Sequence, residues 1–249
     1  MRLPRCAASE YRNGTPTEMT PFLDSDVLTL TRDRLPRTIA ARTRRVYDIL
    51  STIYPLSTYF FHAKAHKTAL EMAGVEDGMQ VLEVATGSGE MFRRLVKANG
   101  GGRTYGIDLS PNMAARTHKH VRQDFPKAQS HCHAVDARYL PFRDESFDAV
   151  FCCYLLELLS RNDILLTLSE IRRVLKPKGS LSLILIGEND SEFFNNLYEV
   201  AGSLVPAFWG RQVQAEGAEM LRTAGFKIVQ EQLIKQTGYP SRVLKIVKR

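Results

Sequence analysis

The stretch VLEVATGSGE, residues 81–90, decides the fold of this chain. It begins with a short, mostly apolar run that is typical of a buried strand, and a turn of small residues follows directly. The turn then opens an amphipathic helix. This order places backbone N–H groups and a helix N-terminus at the carboxyl end of the strand, where a ligand could approach closely. A Gly-x-Gly turn also occurs without any ligand, so the rest of the chain must decide between these two interpretations.

The region around this turn alternates short apolar runs with amphipathic stretches, which predicts an α/β fold with a parallel sheet and helices on both faces. The predicted strands are Gln80–Val84, Thr104–Asp108, Ser130–Val135, Phe147–Tyr154 and Ser180–Ile186. The predicted helices are Glu90–Ala98, Pro111–Asp124 and Asp163–Leu175, and the stop signal Lys176-Pro177-Lys178-Gly179 ends the last of them.

The two ends of the chain have different patterns. A helix near residues 215–224 precedes two strands, Lys227–Ile234 and Arg242–Val247, and the turn signal between these strands predicts an antiparallel hairpin at the sheet edge. Residues 1–37 lack a sustained apolar period and predict a loose arm. Helical spacings in residues 38–74 predict two helices joined at Pro55. We therefore expect an arm, 1–37, followed by one domain, 38–249.

The chain has 249 residues and a formal net charge of +7, and its excess of basic residues is concentrated at the two ends. Residues 1–45 contain nine Lys or Arg and five Asp or Glu, and residues 233–249 contain five basic and no acidic residues, which leaves −2 for residues 46–232. A central region without an excess of basic residues argues against a nucleic-acid partner. The basic ends predict a solvated fringe, with contact to an anionic membrane surface as the alternative.

The cysteine pattern and the lack of long apolar runs predict a cytoplasmic protein. The four cysteines, Cys6, Cys132, Cys152 and Cys153, contain no Cys-x-x-Cys pair. No apolar run reaches the roughly 18 residues that a membrane-spanning helix needs. Charged residues interrupt the N-terminal segment, which has no signal-peptide core.

Acidic residues at the ends of the first three predicted strands extend the candidate ligand site. Asp108 ends the second strand, 21 residues after Gly87, where a carboxylate can accept hydrogen bonds from both ribose hydroxyls of a nucleoside. Asp136 follows the third strand and could contact the base. Glu83, near the end of the first strand, would suit a ligand that carries an ammonium or a sulfonium group. Together these residues predict a nucleoside that lies across the carboxyl edge of the sheet.

A dinucleotide and a nucleoside phosphate are rival ligands that fit this pattern poorly. Phe92 stands where the dinucleotide fingerprint needs a third small residue, and Glu90 would place negative charge beside a pyrophosphate. The sequence contains no GxxxxGK[ST] motif, which excludes phosphate binding in the P-loop manner. A nucleoside without a pyrophosphate remains.

Four runs of the sequence together resemble the class I S-adenosylmethionine-dependent methyltransferases, in particular the ubiquinone and menaquinone biosynthesis C-methyltransferases. They are VLEVATGSGE (81–90), YGIDLSPNM (105–113), HAVDARYLPFRDESFDAV (133–150) and LKPKGSLSLI (175–184). Four motifs in the expected order are far more specific than any one of them. The segment VYDIL (46–50) resembles the Tyr-Asp lead-in of this subgroup, which some bacterial phosphatidylethanolamine N-methyltransferases share.

The resemblance implies a Rossmann-like sheet of seven strands, mostly parallel, with an antiparallel last strand. It also implies S-adenosylmethionine as the cofactor and S-adenosylhomocysteine as the product. The implied cofactor-binding residues are Glu83, Ala85, Thr86, Gly87, Ser88, Gly89, Asp108, Leu109, Met113, Asp136, Ala137 and Cys153. The family turn often begins with glycine where this chain has Ala85, a small departure that should not abolish binding.

The resemblance also implies a role for each of these residues. Glu83 and the turn 85–89 would hold the methionine part and flank the ribose, whose hydroxyls Asp108 would bind. The other implied roles are adenine packing by Leu109 and Met113, adenine-edge contacts by Asp136 and Ala137, and a backbone contact from Cys153 to the methionine end.

Two residues after the fourth predicted strand, Tyr154 and Glu157, are candidates for a catalytic base on the acceptor side. Methyl transfer from a sulfonium chiefly requires alignment of the acceptor with the methyl group, so no catalytic side chain is demanded. A base would help if the acceptor loses a proton. The competing interpretation of Glu157 is that it caps or solvates the start of a helix.

No metal site is predicted. Relatives that O-methylate quinone precursors with a metal carry a Glu-x-x-Glu-His run, of which this chain retains only Glu157. His62 and His66 stand four residues apart but lack a third ligand. His131 and His133 lie on one face of a predicted strand. We interpret both histidine pairs as packing residues.

We expect a methyltransferase that acts on a small or lipid-like, largely apolar acceptor. The resemblance places the helices in 38–74 and the segment 188–215 over the acceptor as a lid and a cover, and the aromatic residues between 193 and 209 favour an apolar acceptor. Two alternatives stay open. One is a phospholipid headgroup N-methyltransferase, favoured if the basic ends bind anionic bilayers. The other is a catalytically silent scaffold that binds S-adenosylmethionine.

Overall fold

A central sheet of seven strands, covered by helices on both faces, organises the chain. The computed structural model describes residues 54–187, 214–236 and 240–249. In chain order the elements are α1 (Tyr54–Ala73), β1 (Gln80–Val84), α2 (Glu90–Ala98), β2 (Arg103–Asp108), α3 (Pro111–Asp124), β3 (Gln129–Ala134), β4 (Phe147–Cys153), a 3₁₀ turn (Leu156–Leu158), α4 (Arg161–Val174), β5 (Leu175–Ile186), α5 (Gln214–Thr223), β6 (Phe226–Ile234) and β7 (Ser241–Lys248).

The strand order is β3-β2-β1-β4-β5-β7-β6. Strands β1 to β5 are parallel, and β7 pairs antiparallel with both β5 and β6. The predicted fold class is therefore confirmed, including the antiparallel hairpin. The order reverses between β1 and β4, and such a reversal opens a crevice at the carboxyl ends of the strands, where ligands of open α/β sheets bind.

Buried apolar side chains hold a layer of helices on each face of the sheet. On one face, residues of α4 and α5 such as Leu168 and Met220 pack with Leu82 of β1 and Leu183 of β5. On the other face, α1 and α2 pack on β1, β4, β5 and β7, with Ala65 among the fully buried residues. The alternation of strands with amphipathic helices in the sequence is thus typical of a sheet with a hydrophobic core on each face.

Side-chain caps fix where two of the helices begin. Ser110 accepts a hydrogen bond from the Met113 N–H (3.3 Å) at the start of α3, and Ser160 accepts one from the Asp163 N–H (3.2 Å) at the start of α4. Each serine satisfies one of the backbone donors that a helix N-terminus leaves without a partner. The first cap also fixes the position of Asp108, which lies two residues before Ser110.

Several strand boundaries differ from the prediction by one residue, and the bounds of β5 and β4 have a clear structural reason. β5 begins at Leu175 rather than at residue 180, because its pairing with β4 jumps from Phe147–Leu175 to Ala149–Ser180. The stop signal around Pro177 lies in this irregularity, where a residue without an N–H costs no ladder hydrogen bond. β4 ends at Cys153, one residue early, because Tyr154 has φ 53° and leaves the extended conformation.

Several predictions concern residues outside the described ranges. These are the arm 1–37, the helix expected before Pro55, the aromatic segment within 188–213 and the turn residues 237–239. Within the described ranges, no helix combines the length and the apolar character that crossing a membrane requires.

Candidate active site

The turn between β1 and α2 is built from residues with left-handed backbone. Ala85, Gly87 and Gly89 have φ of 64°, 50° and 81°. A Cβ atom on Gly89 would lie 2.7 Å from Thr117 Oγ1, so only glycine allows α3 to pack this closely on the turn. A Cβ on Gly87 would meet no atom within 4 Å among the described residues. The turn thus packs tightly against α3 at Gly89 and faces open space at Gly87, where a ligand could lie.

Ala85 has a strained backbone conformation that a glycine at this position would adopt without strain. Its left-handed φ of 64° brings Cβ close to its own backbone. We expect Ala85→Gly to raise the free energy of unfolding by about 1 kcal/mol, because glycine adopts this conformation without that clash. Ala115→Gly, the same change at an exposed position inside α3, is the control and should lower it by about 1 kcal/mol. Urea unfolding measures the change in the free energy of unfolding for each variant. Changes of the same sign in both variants would contradict the strain at Ala85.

Asp108, at the end of β2, is joined to the turn as the sequence predicts. Its carboxylate accepts hydrogen bonds from the Gly87 N–H (2.8 Å, Oδ2) and from the Ser110 N–H (2.9 Å, Oδ1). A carboxylate has about four lone-pair positions, so two backbone donors leave capacity for further hydroxyl donors. Asp108 can therefore hold the turn in shape and still accept hydrogen bonds from a ligand.

Glu83 is a buried carboxyl group beside this site. Its side chain is 1 % exposed, and its Oε2 atom has no hydrogen-bond partner within residues 54–187, 214–236 and 240–249. Burial, assisted by the nearby charge of Asp108, raises the pKa of Glu83 well above its ordinary value. A cationic ligand group would compensate the buried charge and give Oε2 a partner. Glu83 therefore fits a ligand with an ammonium or sulfonium group.

Asp136 lies two residues beyond β3 and forms an ion pair that the sequence did not reveal. Arg138 Nη2 lies 2.7 Å from Asp136 Oδ2, and Arg138 Nη1 lies 2.8 Å from Asp163 Oδ1 of α4. The arginine thus ties the loop after β3 to α4. A base edge would have to share the remaining lone pairs of Asp136, so its contact with adenine stays a prediction.

The other predicted cofactor residues also lie at the carboxyl edge. Thr86 is already engaged, since its N–H donates to the Ile107 carbonyl (3.0 Å) and its hydroxyl shares a hydrogen bond with Cys132 Sγ (3.5 Å). The remaining positions are Ser88 on the turn, Leu109 and buried Met113 around the start of α3, Ala137 beside Asp136, and Cys153 at the end of β4. The structure brings these residues to one edge of the sheet, and their roles toward a cofactor remain predictions.

Glu157 is buried and does not cap a helix. It lies in the 3₁₀ turn after β4 with 3 % of its surface exposed, and Ser160 is the residue that caps α4. The Ile186 N–H donates to Glu157 Oε1 (2.7 Å), whereas Oε2 has no hydrogen-bond partner in the part of the chain that the structure describes. Burial raises the pKa of Glu157 to about 7. Its carboxyl group therefore changes its protonation state near neutral pH.

The raised pKa of Glu157 predicts a pH-dependent stability. A carboxyl group that holds its proton more tightly in the folded state stabilises fully below its ordinary pKa of 4.5, and this contribution is lost as the pH rises to about 7. We expect Glu157→Gln, which keeps an acceptor for the Ile186 N–H, to gain stability relative to the parent protein across this window and to level off above it. Urea unfolding from pH 4.5 to 8 measures the difference, and a constant difference would contradict the shift.

Tyr154, the second predicted candidate, stands between α1 and the β6–β7 hairpin. Its ring stacks on His62 of α1 with 4.1 Å between centroids, and its hydroxyl shares a 2.7 Å hydrogen bond with Ser241. Gln236 Nε2 donates to Ser241 Oγ (2.7 Å). Sequence reasoning missed Ser241 and Gln236, because no local pattern shows that residues more than 80 positions away reach Tyr154.

The two histidine pairs occupy different environments. His62 and His66 are each 5 % exposed and lie at the end of the sheet that carries the site, whereas His131 and His133 are exposed on β3. Residues 54–187, 214–236 and 240–249 contain no group of three or more His, Cys, Asp or Glu side chains placed to hold a metal ion.

Comparison with known proteins finds methyltransferases among the relatives of this chain. The family described as a methyltransferase domain matches residues 81–179. The chain is 31 % identical over 148 residues to 2-phytyl-1,4-naphtoquinone methyltransferase of Trichormus variabilis, covering 57 % of this chain and 63 % of the relative. It is 31 % identical over 168 residues to demethylmenaquinone methyltransferase of Staphylococcus aureus, covering 66 % of each chain. The chain spans a little under two thirds of the length of these curated relatives.

A solved structure shows the same fold. Magnesium protoporphyrin IX methyltransferase of Synechocystis, determined with bound S-adenosylhomocysteine, has a TM-score of 0.66 and 17 % identity, covering 85 % of this chain and 100 % of that one. The fold and the family match define a class I methyltransferase domain. Residues 81–179 therefore carry a methyltransferase domain, and the chain resembles the quinone methyltransferase subgroup.

Proposed function

We propose that this chain transfers a methyl group from S-adenosylmethionine to a small, largely apolar acceptor of the quinone type. The observation that carries the proposal is Glu83, a buried carboxyl group without a partner for Oε2 among the described residues, placed beside the glycine turn and Asp108. A neutral ligand would leave the raised pKa of this carboxyl group in place, whereas the ammonium or sulfonium of the donor would stabilise its ionised form. Curated relatives named for naphthoquinone and menaquinone methylation support the acceptor class.

In this proposal the residues of the chain bind and orient, and the donor carries the activated methyl group. Bound S-adenosylmethionine supplies a sulfonium whose methyl group is transferred by in-line displacement. Asp108 accepts hydrogen bonds from the ribose hydroxyls, and Glu83 holds the charged end. The chain then has to present the acceptor atom in line with the methyl group and to exclude water, which are the two contributions that positioning makes to such a reaction.

The domain arrangement belongs to the same proposal. An arm, 1–37, precedes one methyltransferase domain, 38–249, in which the helices of 38–74 and the segment 188–215 enclose the acceptor. The described part of α1 supports this arrangement, because His62 of α1 contacts Tyr154 at the carboxyl edge of the sheet. A lid at this edge would shield an apolar acceptor from water.

An assay of methyl transfer tests the proposal. The full chain is incubated without oxygen with S-adenosylmethionine labelled in its methyl group and with 1,4-naphthohydroquinone carrying a short prenyl chain, and the product is separated by chromatography. Transfer of the label to the aromatic ring supports the proposal. Label in phosphatidylethanolamine vesicles instead would favour a headgroup N-methyltransferase. Binding of S-adenosylhomocysteine by calorimetry without transfer to either acceptor would favour a scaffold.

A further inference from the structure

Five residues outside the predicted cofactor-binding set form a polar cluster, called here the tyrosine cluster: Tyr154, His62, His66, Gln236 and Ser241. They come from α1, from the residue after β4, and from the β6–β7 hairpin. Tyr154 stacks on His62 and shares a hydrogen bond with Ser241, and Gln236 Nε2 lies 2.7 Å from Ser241 Oγ and 3.5 Å from Tyr154 Oη. His66 completes the group, with its ring 5.7 Å from that of His62.

The cluster lies at the same sheet edge as the cofactor residues, on the opposite side of the crevice. The glycine turn and Asp108 follow β1 and β2, whereas Tyr154 follows β4 and Ser241 begins β7. Ser241 pairs with Ile186, the last residue of β5, which fixes it at the carboxyl edge. Because the strand order reverses between β1 and β4, these two groups of residues face the same crevice from its two sides.

Two polar atoms of the cluster have no hydrogen-bond partner in the described ranges: His66 Nδ1 and Gln236 Oε1, both buried. A buried polar atom without a partner destabilises the fold, so such atoms mark places where a ligand or ordered water completes the hydrogen bonding. The amide oxygen of Gln236 can only accept a hydrogen bond. A partner for it must therefore be a donor.

The backbone and the charge state of the cluster also favour a ligand. Tyr154 has a left-handed φ of 53°, which is rare and strained for an aromatic residue, and such strain is concentrated at functional sites. Burial lowers the pKa of His62 to about 4 and that of His66 to about 3. Both imidazoles are therefore neutral at pH 7, and each can accept a hydrogen bond through its unprotonated nitrogen.

We propose that the tyrosine cluster binds a hydroxyl group of a neutral aromatic acceptor, with Gln236 Oε1 accepting the hydroxyl hydrogen bond and Tyr154 holding Gln236 in place. The inference rests on the proposed function, because it assigns the acceptor side of the same site. Tyr154 and Ser241 fix the amide group of Gln236 through its Nε2 atom, which leaves Oε1 for the ligand. The cluster thereby selects acceptors that donate a hydrogen bond, such as a hydroquinone, over those that do not.

Ligand binding to variants of the full chain tests this inference. The probe is 1,4-naphthohydroquinone, titrated without oxygen in the presence of saturating S-adenosylhomocysteine, and 1,4-dimethoxynaphthalene is the matched ligand without hydroxyl donors. Gln236→Leu removes the amide at similar volume, and Tyr154→Phe keeps the ring but removes the hydroxyl that holds the amide. Gln232→Leu makes the first change at an exposed position of β6 and serves as the control.

We expect Gln236→Leu to weaken binding of the hydroquinone about 5- to 20-fold, since a buried hydroxyl loses its acceptor, and Tyr154→Phe to weaken it by a smaller factor. Binding of dimethoxynaphthalene should be weaker in the parent chain and unchanged in both variants. A merely structural role would instead weaken both ligands equally, and that result overturns the inference. Hydroquinone binding that is absent, or equal in Gln236→Leu and Gln232→Leu, also overturns it, whereas failure to bind S-adenosylhomocysteine overturns the proposed function itself.

Discussion

Glu83→Gln is expected to weaken the binding of S-adenosylmethionine at least tenfold, which corresponds to about 1.4 kcal/mol or more. The variant keeps the size and one acceptor atom of the side chain but cannot compensate a cation in this buried position, where Glu83 is 1 % exposed. Calorimetry with both donor and product locates the contact. Equal losses for S-adenosylmethionine and S-adenosylhomocysteine indicate that Glu83 binds the ammonium group that both carry, and a loss for the donor alone indicates the sulfonium.

The raised pKa of Glu83 predicts a proton exchange on ligand binding, which calorimetry can detect and which no surface carboxylate would produce. Without ligand the pKa of Glu83 lies well above its ordinary value, so at a pH below this raised pKa a cationic ligand displaces the proton of the carboxyl group on binding. The heat of binding should then depend on the ionisation enthalpy of the buffer in the parent chain and not in Glu83→Gln. Glu71→Gln, at an exposed site of α1, is the control and should behave like the parent chain. Unchanged affinity in Glu83→Gln would remove Glu83 from the site.

The same protonation predicts how stability without ligand depends on pH. Because folding raises the pKa of Glu83, its stabilising contribution is full below pH 4.5 and is lost progressively above it. Glu83→Gln does not titrate, so it should become more stable than the parent chain as the pH rises. A variant that binds the donor poorly and yet resists urea better would separate a binding defect from a folding defect.

Asp108→Ala is expected to raise the dissociation constant of S-adenosylhomocysteine tenfold or more, since a carboxylate that accepts ligand hydroxyls contributes roughly 1.5–3 kcal/mol. Part of the loss comes from the turn, because the Gly87 and Ser110 N–H groups lose their acceptor. Titration with adenosine and with 2′,3′-dideoxyadenosine separates the two contributions. The parent chain should prefer adenosine, and Asp108→Ala should lose that preference.

Asp124→Ala is the matched control for Asp108. Asp124 ends α3 and pairs with Arg93 at the surface, 2.7 Å from Arg93 Nη2, where an ion pair contributes little. Its removal should change the affinity for either nucleoside less than twofold. A preference for adenosine that survives in Asp108→Ala would show that another residue binds the ribose.

Local patterns were sufficient to predict the strand, the turn and the helix that carry most of the predicted cofactor residues. The strand from Gln80 to Val84, the following turn and the helix from Glu90 lie next to one another in the chain, so the apolar period and the glycines determined their bounds exactly. Asp108 was predictable for a similar reason, since a parallel strand brings its end to the end of its neighbour. Residue pattern and short connections carry this information.

Long-range contacts explain what the sequence could not predict. The ion pair between Arg138 and Asp163 depends on how the loop after β3 closes onto α4, and the pairing of Tyr154 with Ser241 spans 87 positions. The burial of Glu157 likewise follows from the approach of its turn to the end of β5. Neither hydrophobic period nor motif spacing encodes such contacts, because they depend on packing rather than on local conformation.

The position of β7 inside the sheet constrains the order in which this fold can form. β6 precedes β7 in the chain, yet its hydrogen-bonded neighbour is β7, which separates it from β5. A nascent chain that has emerged as far as β6 therefore lacks the strand that joins β6 to the sheet and the serine that bonds Tyr154. We infer that the half with the glycine turn and Asp108 can be ordered early during synthesis, whereas the tyrosine cluster is completed only after β7 has emerged.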